Sequence, residues 1–251
     1  MSAKKIYVFV ALCTLAALAA TAEDSAGQDM TLQKVLAGYH QTIGADALER
    51  VEAIEVHGTL SFNGLDQPFK LYQARPGSYR LEIEGERGLS IQGFDGESAF
   101  TPARRGGVRR LDGAARALVV EEFGDFDGPL VGPQDNLELI GDAEFDGEAV
   151  WHLRITHGAE RVENWFVLKN SFLPIHRTLI AEHRRAGPYE RSWFLLEYGE
   201  FETPGGDTVR LPVYFEREDR QHVRAFTVEQ VIFNPELPEG FFAPPADGTS
   251  E

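Results

Sequence analysis

The 251-residue sequence has a single cysteine, Cys13, and it lies in an apolar stretch near the N terminus. The rest of the chain therefore has no thiol for a disulfide, for nucleophilic catalysis or for a zinc site. Beyond that stretch, no run approaches the ~18 consecutive apolar residues of a transmembrane helix. Positive charge is also scarce, with 24 Lys and Arg against 40 Asp and Glu. An acidic surface repels nucleic acid and anionic bilayers, which excludes nucleic-acid binding as the main task.

Residues 1–22 have the pattern of a signal peptide. Lys4 and Lys5 form the charged start, an apolar stretch follows, and Ala20 to Ala22 gives an A-x-A cleavage signal. Removing this leader takes two lysines and no acid, so the formal charge changes from −16 to −18. We therefore expect an exported, periplasmic protein that is soluble after cleavage. A lipid anchor on Cys13 is not expected, because a large leucine precedes it.

The predicted domain organisation is simple. Residues 23–29 form a polar linker, residues 30–243 form one domain, and residues 244–251 form a flexible tail. The length after cleavage suffices for one sizeable core, and all-β domains of this size are often single. We expect a monomer.

Two short helices are predicted. Thr31 can cap the first, whose apolar residues recur at helical spacing until Gly44 ends it, and residues 45–51 add a turn or two. Residues 112–123 contain the second. Most other segments alternate apolar and polar residues with period two, and Asn63-Gly64 marks a hairpin turn.

The number of strands exceeds what two helices can cover. Strands lie about 4.8 Å apart and a helix is about 10–12 Å across, so roughly ten strands make a sheet about 45–50 Å wide. Two helices would shield less than half of it. The sheet must close on itself or curl around a hollow, which favours a binding protein over an enzyme.

Residues 74–80 (ARPGSYR) contain an R-P pair between two predicted strands, and residues 94–100 (FDGESAF) contain a D-G turn. These segments resemble the motifs of the periplasmic outer-membrane lipoprotein carrier, LolA, and its lipoprotein-sorting relatives. Residues 39–58 are similar to the helix and first strand of the sorting proteins. Residues 150–180 and the closing Asn234-Pro235 with Phe241-Phe242 are also similar to that group.

The resemblance implies a mainly β fold: a single, incompletely closed antiparallel β-barrel whose concave apolar face is covered by an N-terminal amphipathic helix and a short second helix. It implies a hydrophobic cavity that receives acyl chains of lipoproteins or lipids crossing the periplasm. Inner- and outer-membrane transport proteins would be the partners. It also implies that Arg75, the arginine of the R-P motif, latches the helical lid.

Apolar side chains on the predicted strands are the candidates for the cavity lining, although each is also compatible with a dry core. They are Phe62, Phe69, Leu71, Tyr79, Leu81, Phe100, Trp151, Trp165 and Trp193. Four arginines flank Gly106-Gly107 and are candidates for contacting lipid head groups or an acidic partner; the alternative is a solvated loop. They are Arg104, Arg105, Arg109 and Arg110.

No catalytic, metal or cofactor site is predicted. His152 and His157 are five apart on a strand and so point to opposite faces, and Arg184 and Arg185 beside His183 would oppose a metal. No G-x-S-x-G, H-E-x-x-H or P-loop motif occurs. Two alternatives to a carrier remain: a periplasmic sensor of similar fold that regulates a membrane partner, and a secreted hydrolase of an envelope polymer.

Overall fold

The computed structural model describes residues 30–245, apart from residues 87, 104–106, 121–129, 131–135, 158–160, 184–186 and 220–221. The predicted signal peptide and linker lie outside the described residues, as do Arg104, Arg105 and most of the predicted tail. The predicted domain boundaries therefore stay predictions.

Three helices occur in the described part of the chain: α1 (Leu32–Ile43), α2 (Ala45–Leu48) and α3 (Gly113–Val120). The Thr31 side chain accepts a hydrogen bond from the Lys34 amide and caps α1, as predicted. Gly44 ends α1 with a φ of 74°, and an added Cβ there would lie 2.6 Å from the Thr208 carbonyl oxygen. Only glycine fits this position, because the left-handed backbone and the close approach both exclude a side chain.

All the described strands belong to a single sheet. They are β1 Ala53–Phe62, β2 Leu65–Ala74, β3 Ser78–Gly85, β4 Gly88–Phe94, β5 Ala99–Pro102, β6 Val108–Leu111, β7 Leu137–Phe145, β8 Glu148–Thr156, β9 Arg161–Leu168, β10 Pro174–His183, β11 Gly187–Glu202, β12 Thr208–Asp219 and β13 His222–Phe233.

The sheet has 13 strands in the order β6-β5-β4-β3-β2-β1-β13-β12-β11-β10-β9-β8-β7, and every pairing is antiparallel. The β1–β13 pairing joins the two ends of the domain, with Ile54 opposite Phe233. β6 and β7 are the edges of the sheet, so it does not close into a barrel. The predicted fold class, a single open antiparallel sheet with short covering helices, is confirmed.

One face of the sheet, here called the inner face, carries the helices. Helices α1 and α2 contact β12, and α3 contacts β4 and β5. Val35, Leu36, Tyr39 and Ile43 of α1 are buried. The outer face is covered in part by the C-terminal segment. There the Phe241 ring lies 4.7 Å from the Tyr72 ring, and the Phe241 backbone carbonyl accepts a hydrogen bond from Arg80.

One strand is longer than its sequence pattern predicts. The alternation of the sequence predicts a strand over residues 137–140, but β7 continues to Phe145 and turns into β8 at Asp146 and Gly147, which have φ values of 50° and 85°. A bulge between Leu139 and Gly141 breaks the alternation that would have revealed the continuation.

In the described part of the chain, no helix is long and apolar enough to cross a bilayer.

Candidate functional site

An apolar cluster occupies the inner face from β5 through β1 to β12. It brings together four of the predicted cavity residues, Phe69, Leu71, Tyr79 and Leu81. The other buried members of the cluster come from four strands, α3 and the segment after α2: Val51, Ile54, Val56, Leu60, Phe94, Ala99, Val119 and Phe226. The alternation of β1 to β3 therefore places one continuous apolar wall beneath the helices.

The predicted tryptophans line the inner face of the other half of the sheet. Trp165 and Trp193 are buried, and Trp151 is half-buried beside Lys169, whose ammonium lies 4.2 Å from the ring centroid. Phe62 lies at the end of β1 beneath the Arg224 guanidinium, 4.7 Å from the ring centroid.

Phe100 does not belong to this wall. Phe100 of β5 is paired with Gly93 of β4, and Gly93 is paired with Arg80 of β3, whose side chain lies on the outer face. Phe100 is therefore on the outer face as well, while its neighbour Ala99 faces inward. Its prediction as a cavity residue is wrong, because a four-residue strand has too little alternation to define its two faces.

The wall is closed to solvent in this conformation. Tyr79 is 0% exposed, Phe226 1% and Leu81 3%, so they touch protein atoms on every side. Val51 and Val119 belong to this cluster, so a guest molecule that reaches the wall must displace the end of the first helical segment or α3.

Arg75 joins the sheet to the end of the first helical segment. Its Nε donates to the Val51 carbonyl at 3.0 Å and its Nη2 to the Leu48 carbonyl at 3.1 Å. Leu48 ends α2, where carbonyl groups lack helical partners and attract a cation. The geometry suits the predicted latch, and the role in a moving lid remains a proposal.

Tyr79 joins the sheet to α3. Its hydroxyl donates to the Val119 carbonyl at 2.7 Å. Burial raises the pKa of Tyr79, and the charges of Arg191 and Arg217 oppose this effect, so both guanidinium groups lie within electrostatic reach of the phenol. The Arg116 guanidinium of α3 lies 5.1 Å from the Phe94 ring centroid and adds a second contact between α3 and the inner face.

A row of directly opposed residues crosses the inner face from β9 to β1 and consists of aromatic and cationic side chains. We call it the Trp–Arg row, and its members are Trp165, Arg177, Trp193, Arg217, Arg224 and Phe62. The Arg177 guanidinium lies between two indoles, 5.2 Å from the centroid of Trp165 and 4.3 Å from that of Trp193.

The arginines of this row are not among the residues predicted from the sequence. Arginine is normally a surface residue, and the sequence pattern predicts a strand over residues 209–216, which stops one residue before Arg217. The signal that could have revealed them is the alternation of side chains along a strand, which places residues two positions apart on the same face. Arg217 lies two residues from Phe215, and Arg224 two residues from Phe226, so each shares a face with a core phenylalanine.

A buried carboxylate lies beside the row. Glu163 accepts hydrogen bonds from Arg177 Nε at 3.0 Å, Trp165 Nε1 at 3.2 Å and His157 Nε2 at 3.0 Å. Burial alone would raise the pKa of Glu163, but the bonds from His157 and Arg177 and the charge of Arg177 outweigh it. They lower the pKa from 4.5 to about 2, so Glu163 is ionised at neutral pH.

The remaining predicted contacts lie elsewhere. Arg109 and Arg110 are exposed on β6, and Arg110 Nη1 donates to Ser98 Oγ at 3.0 Å. They lie at the sheet edge, away from the Trp–Arg row. Across the described ranges, no three His, Cys, Asp or Glu side chains are grouped closely enough to bind a metal.

Comparison with known proteins bears on the fold. No protein-family model and no curated protein matches the chain. The crystal structure of a putative outer membrane lipoprotein-sorting protein domain from Vibrio parahaemolyticus matches 85% of this chain and 97% of its own, with 10% identity and a TM-score of 0.54. A LolA superfamily protein from Nitrosomonas europaea matches the same shares, with 12% identity and a TM-score of 0.54.

The fold is LolA-like. This confirms the resemblance drawn from the R-P and D-G motifs at the level of architecture. At 10–12% identity the similarity extends to the LolA-like fold alone. What the protein binds must be argued from its own inner face.

Proposed function

We propose that this protein is a periplasmic carrier that binds acyl chains of lipoproteins or lipids against its inner face and transfers them across the envelope. The observation that carries the proposal is the apolar wall around Phe69, Leu71 and Phe226, against which, in the described part of the chain, α3 and the segment after α2 pack and no second sheet does. Helices can be displaced locally at a small cost, whereas a second sheet would have to separate along its whole length.

The energetics favour an acyl guest. Burying a methylene group contributes about 0.8 kcal/mol, so a chain of ~14 carbons supplies roughly 10 kcal/mol before ordering costs. Part of this energy must offset the displacement of the helical cover. The described contacts that hold the helices include the hydrogen bonds of Arg75 and Tyr79 and the bond from Thr42 Oγ1 to the Ser171 carbonyl. Binding and release are therefore both feasible.

The proposal includes a monomer that exchanges cargo with inner- and outer-membrane transport proteins. It requires no catalytic group. The leader pattern of residues 1–22 supports export, and fractionation of cells that express the full chain tests the location.

Native mass spectrometry of protein purified from the periplasm, followed by lipid extraction, tests the proposal. We expect acyl-containing species, and we expect the delipidated protein to bind a fluorescent long-chain fatty acid. Protein that carries no lipid and leaves the probe's fluorescence unchanged would contradict the carrier function.

A further inference from the structure

The turn between β9 and β10 lies against α1. A Cβ atom added to Gly38 of α1 would lie 2.5 Å from two atoms of the Phe172 ring and 2.8 Å from a third, so the ring is seated directly on the glycine backbone. One helical turn further along, Thr42 Oγ1 donates to the Ser171 carbonyl at 3.0 Å. Positions 38 and 42 are four apart and share one face of the helix. The turn therefore contacts a single face of α1 at two successive positions.

Backbone hydrogen bonds fix the shape of this turn. The Phe172 amide donates to the Leu168 carbonyl at 2.9 Å, and the Leu168 amide donates to the Leu173 carbonyl at 2.9 Å. The Tyr198 hydroxyl donates to the Pro174 carbonyl at 2.8 Å and holds the first residue of β10. The Phe172 ring is consequently presented to α1 by a hydrogen-bonded support.

Phe172 has an unfavourable backbone conformation. Its φ is 58°, in the left-handed region that bulky side chains rarely adopt. Such strain persists only where the surrounding contacts outweigh it. The packing of the ring on Gly38 is one of these contacts, so the gain from seating the ring is offset in part by backbone strain. Withdrawal of the ring would let the backbone relax, which makes this contact easier to release.

Gly38 is an unfavourable residue for the interior of a helix. Alanine in place of a mid-helix glycine favours the helix about five-fold. Gly38 lies in the middle of α1 (Leu32–Ile43), where the Phe172 ring leaves no room for a Cβ atom. The helix thus gives up intrinsic stability at the position that the ring covers, and the close approach of the ring accounts for the glycine.

The first helical segment (residues 32–51) is thereby fastened at two points. Arg75 binds the Leu48 and Val51 carbonyls at its end, and the β9–β10 turn packs on α1. Val51 also belongs to the apolar cluster of the inner face. A guest that reaches this cluster by displacing the first helical segment must therefore release one or both of these contacts.

We propose that the β9–β10 turn (residues 169–173) is a clasp that holds α1 closed, and that withdrawal of the Phe172 ring from Gly38 is the step that gives the acyl guest access. The inference deepens the proposed function and rests on it, because it states how access to the inner face is regulated. The turn carries a ring that fits one glycine, a second bond one helical turn away and a backbone conformation that favours release.

Two substitutions remove the contact from opposite sides. Phe172→Ala deletes the ring, and Gly38→Ala adds the Cβ atom that displaces it. Withdrawal of a half-buried phenyl ring changes an equilibrium by about ten-fold, so we expect Phe172→Ala to take up a fluorescent long-chain fatty acid about ten-fold faster in stopped-flow measurements. Gly38→Ala should also speed uptake, and both should speed amide exchange in residues 32–43, although alanine favours the helix itself. Either variant serves if the other does not fold.

Two further variants separate the clasp from helix stability. Ala37→Gly is the matched control: Ala37 is exposed, so the change lowers helix stability about five-fold but leaves the Phe172 ring seated. It should change uptake less than Gly38→Ala does. In the double variant of Gly38→Ala and Phe172→Ala, the added Cβ atom meets no ring, so α1 should exchange more slowly than in Phe172→Ala alone.

The outcomes separate the clasp from the carrier function. Slower amide exchange in Gly38→Ala with unchanged uptake would show that helix stability alone governs α1, and would overturn the clasp. Faster exchange in both single variants with unchanged uptake would also overturn it, because the guest would then enter without displacing α1. If the unmodified protein and its variants all fail to bind the fatty acid, the carrier function is wrong, while the exchange rates still decide whether the turn holds α1.

Discussion

The Tyr79 hydroxyl donates a hydrogen bond of 2.7 Å to the backbone carbonyl of Val119, and this bond crosses from the start of β3 to the last turn of α3. Both residues belong to the apolar cluster of the inner face. The bond satisfies a helix-terminal carbonyl at a buried position, where water cannot replace the phenol. It therefore fixes α3 to the sheet.

Tyr79→Phe should loosen α3 more than the sheet, to which the hydroxyl is joined by a hydrogen bond with the Gln92 side chain of β4. The substitution leaves the buried Val119 carbonyl without its donor, which costs about 1–3 kcal/mol and lowers Tm by about 2–4 °C per kcal/mol in a domain of this size. Amide exchange should accelerate in α3 more than in β1 to β4. Tyr214→Phe is the control, since that hydroxyl bonds only a neighbouring partly exposed carboxylate, Glu216. Uniform acceleration across the sheet would show that the bond stabilises the whole domain instead.

Arg75→Leu tests the latch on the other part of the cover. Loss of the hydrogen bonds to the Leu48 and Val51 carbonyls should favour opening of the first helical segment by about 2–3 kcal/mol, or roughly 30- to 150-fold. We expect faster amide exchange across residues 32–51, faster uptake and release of a fluorescent fatty acid, and a Tm loss of only a few degrees.

Arg210→Leu is a matched control for this variant, because Arg210 is paired with Glu200 at the surface. It should change neither exchange nor uptake. A Tm loss in Arg75→Leu well beyond that range, with unchanged uptake kinetics, would make Arg75 a structural residue and not a latch.

The sequence predicts the strands better than it predicts their faces. β1 alternates cleanly over Ile54 to Phe62, and Asn63 and Gly64 have the positive φ values of a two-residue hairpin turn, so β1 and β2 were predictable from local physics. The face of Phe100 was not, because it depends on the register set by the loop between β4 and β5. In a short strand, pairing with the neighbouring strand therefore decides which face each side chain occupies.

The Trp–Arg row was beyond local prediction for a different reason. Its members come from six strands, and what unites them is the register of five successive pairings, each set by a separate hairpin or by the β1–β13 closure. A strand-by-strand analysis assigns Arg217 and Arg224 to solvent because guanidinium groups are rarely buried. Only the assembled sheet places them beside Trp193 and Phe62.

Glu163 should make stability depend on pH in the acid range. Its pKa is lowered from 4.5 to about 2 in the folded protein, so the unfolded chain binds the proton more readily. The stabilisation is complete above about pH 5 and is lost as pH falls through the folded pKa; its size is about 3 kcal/mol.

Comparison with Glu163→Gln isolates this contribution from the other carboxylates. The difference in the free energy of unfolding between the two proteins, measured by urea titration, should be largest near pH 6 and should shrink by about 3 kcal/mol toward pH 2. A difference that stays constant with pH would show that the ion pair with Arg177 does not stabilise the fold.

His176 should add a second pH dependence, at milder acidity. It packs on the outer face between aromatic rings, 4.3 Å from the Phe145 ring and 4.6 Å from the Phe194 ring, and it is 5% exposed. Burial lowers its pKa from 6.5 to about 4, opposed by a backbone hydrogen bond with Trp193. The ring is therefore neutral in the folded protein and charged in the unfolded chain between these pH values.

Because the pKa of this base is lower in the folded protein than in the unfolded chain, protonation favours the unfolded chain. The free energy of unfolding therefore has its full value above about pH 6.5 and falls as the pH decreases toward 4. We expect a loss of about 2 kcal/mol across this window, below the full value of the shift because solvent screens part of the charge. His176→Phe keeps the aromatic packing and removes the proton site, so its urea midpoint should change less between pH 7 and pH 4.5. Equal pH dependence in both proteins would mean that His176 is protonated without cost and that the surrounding rings do not exclude water from it.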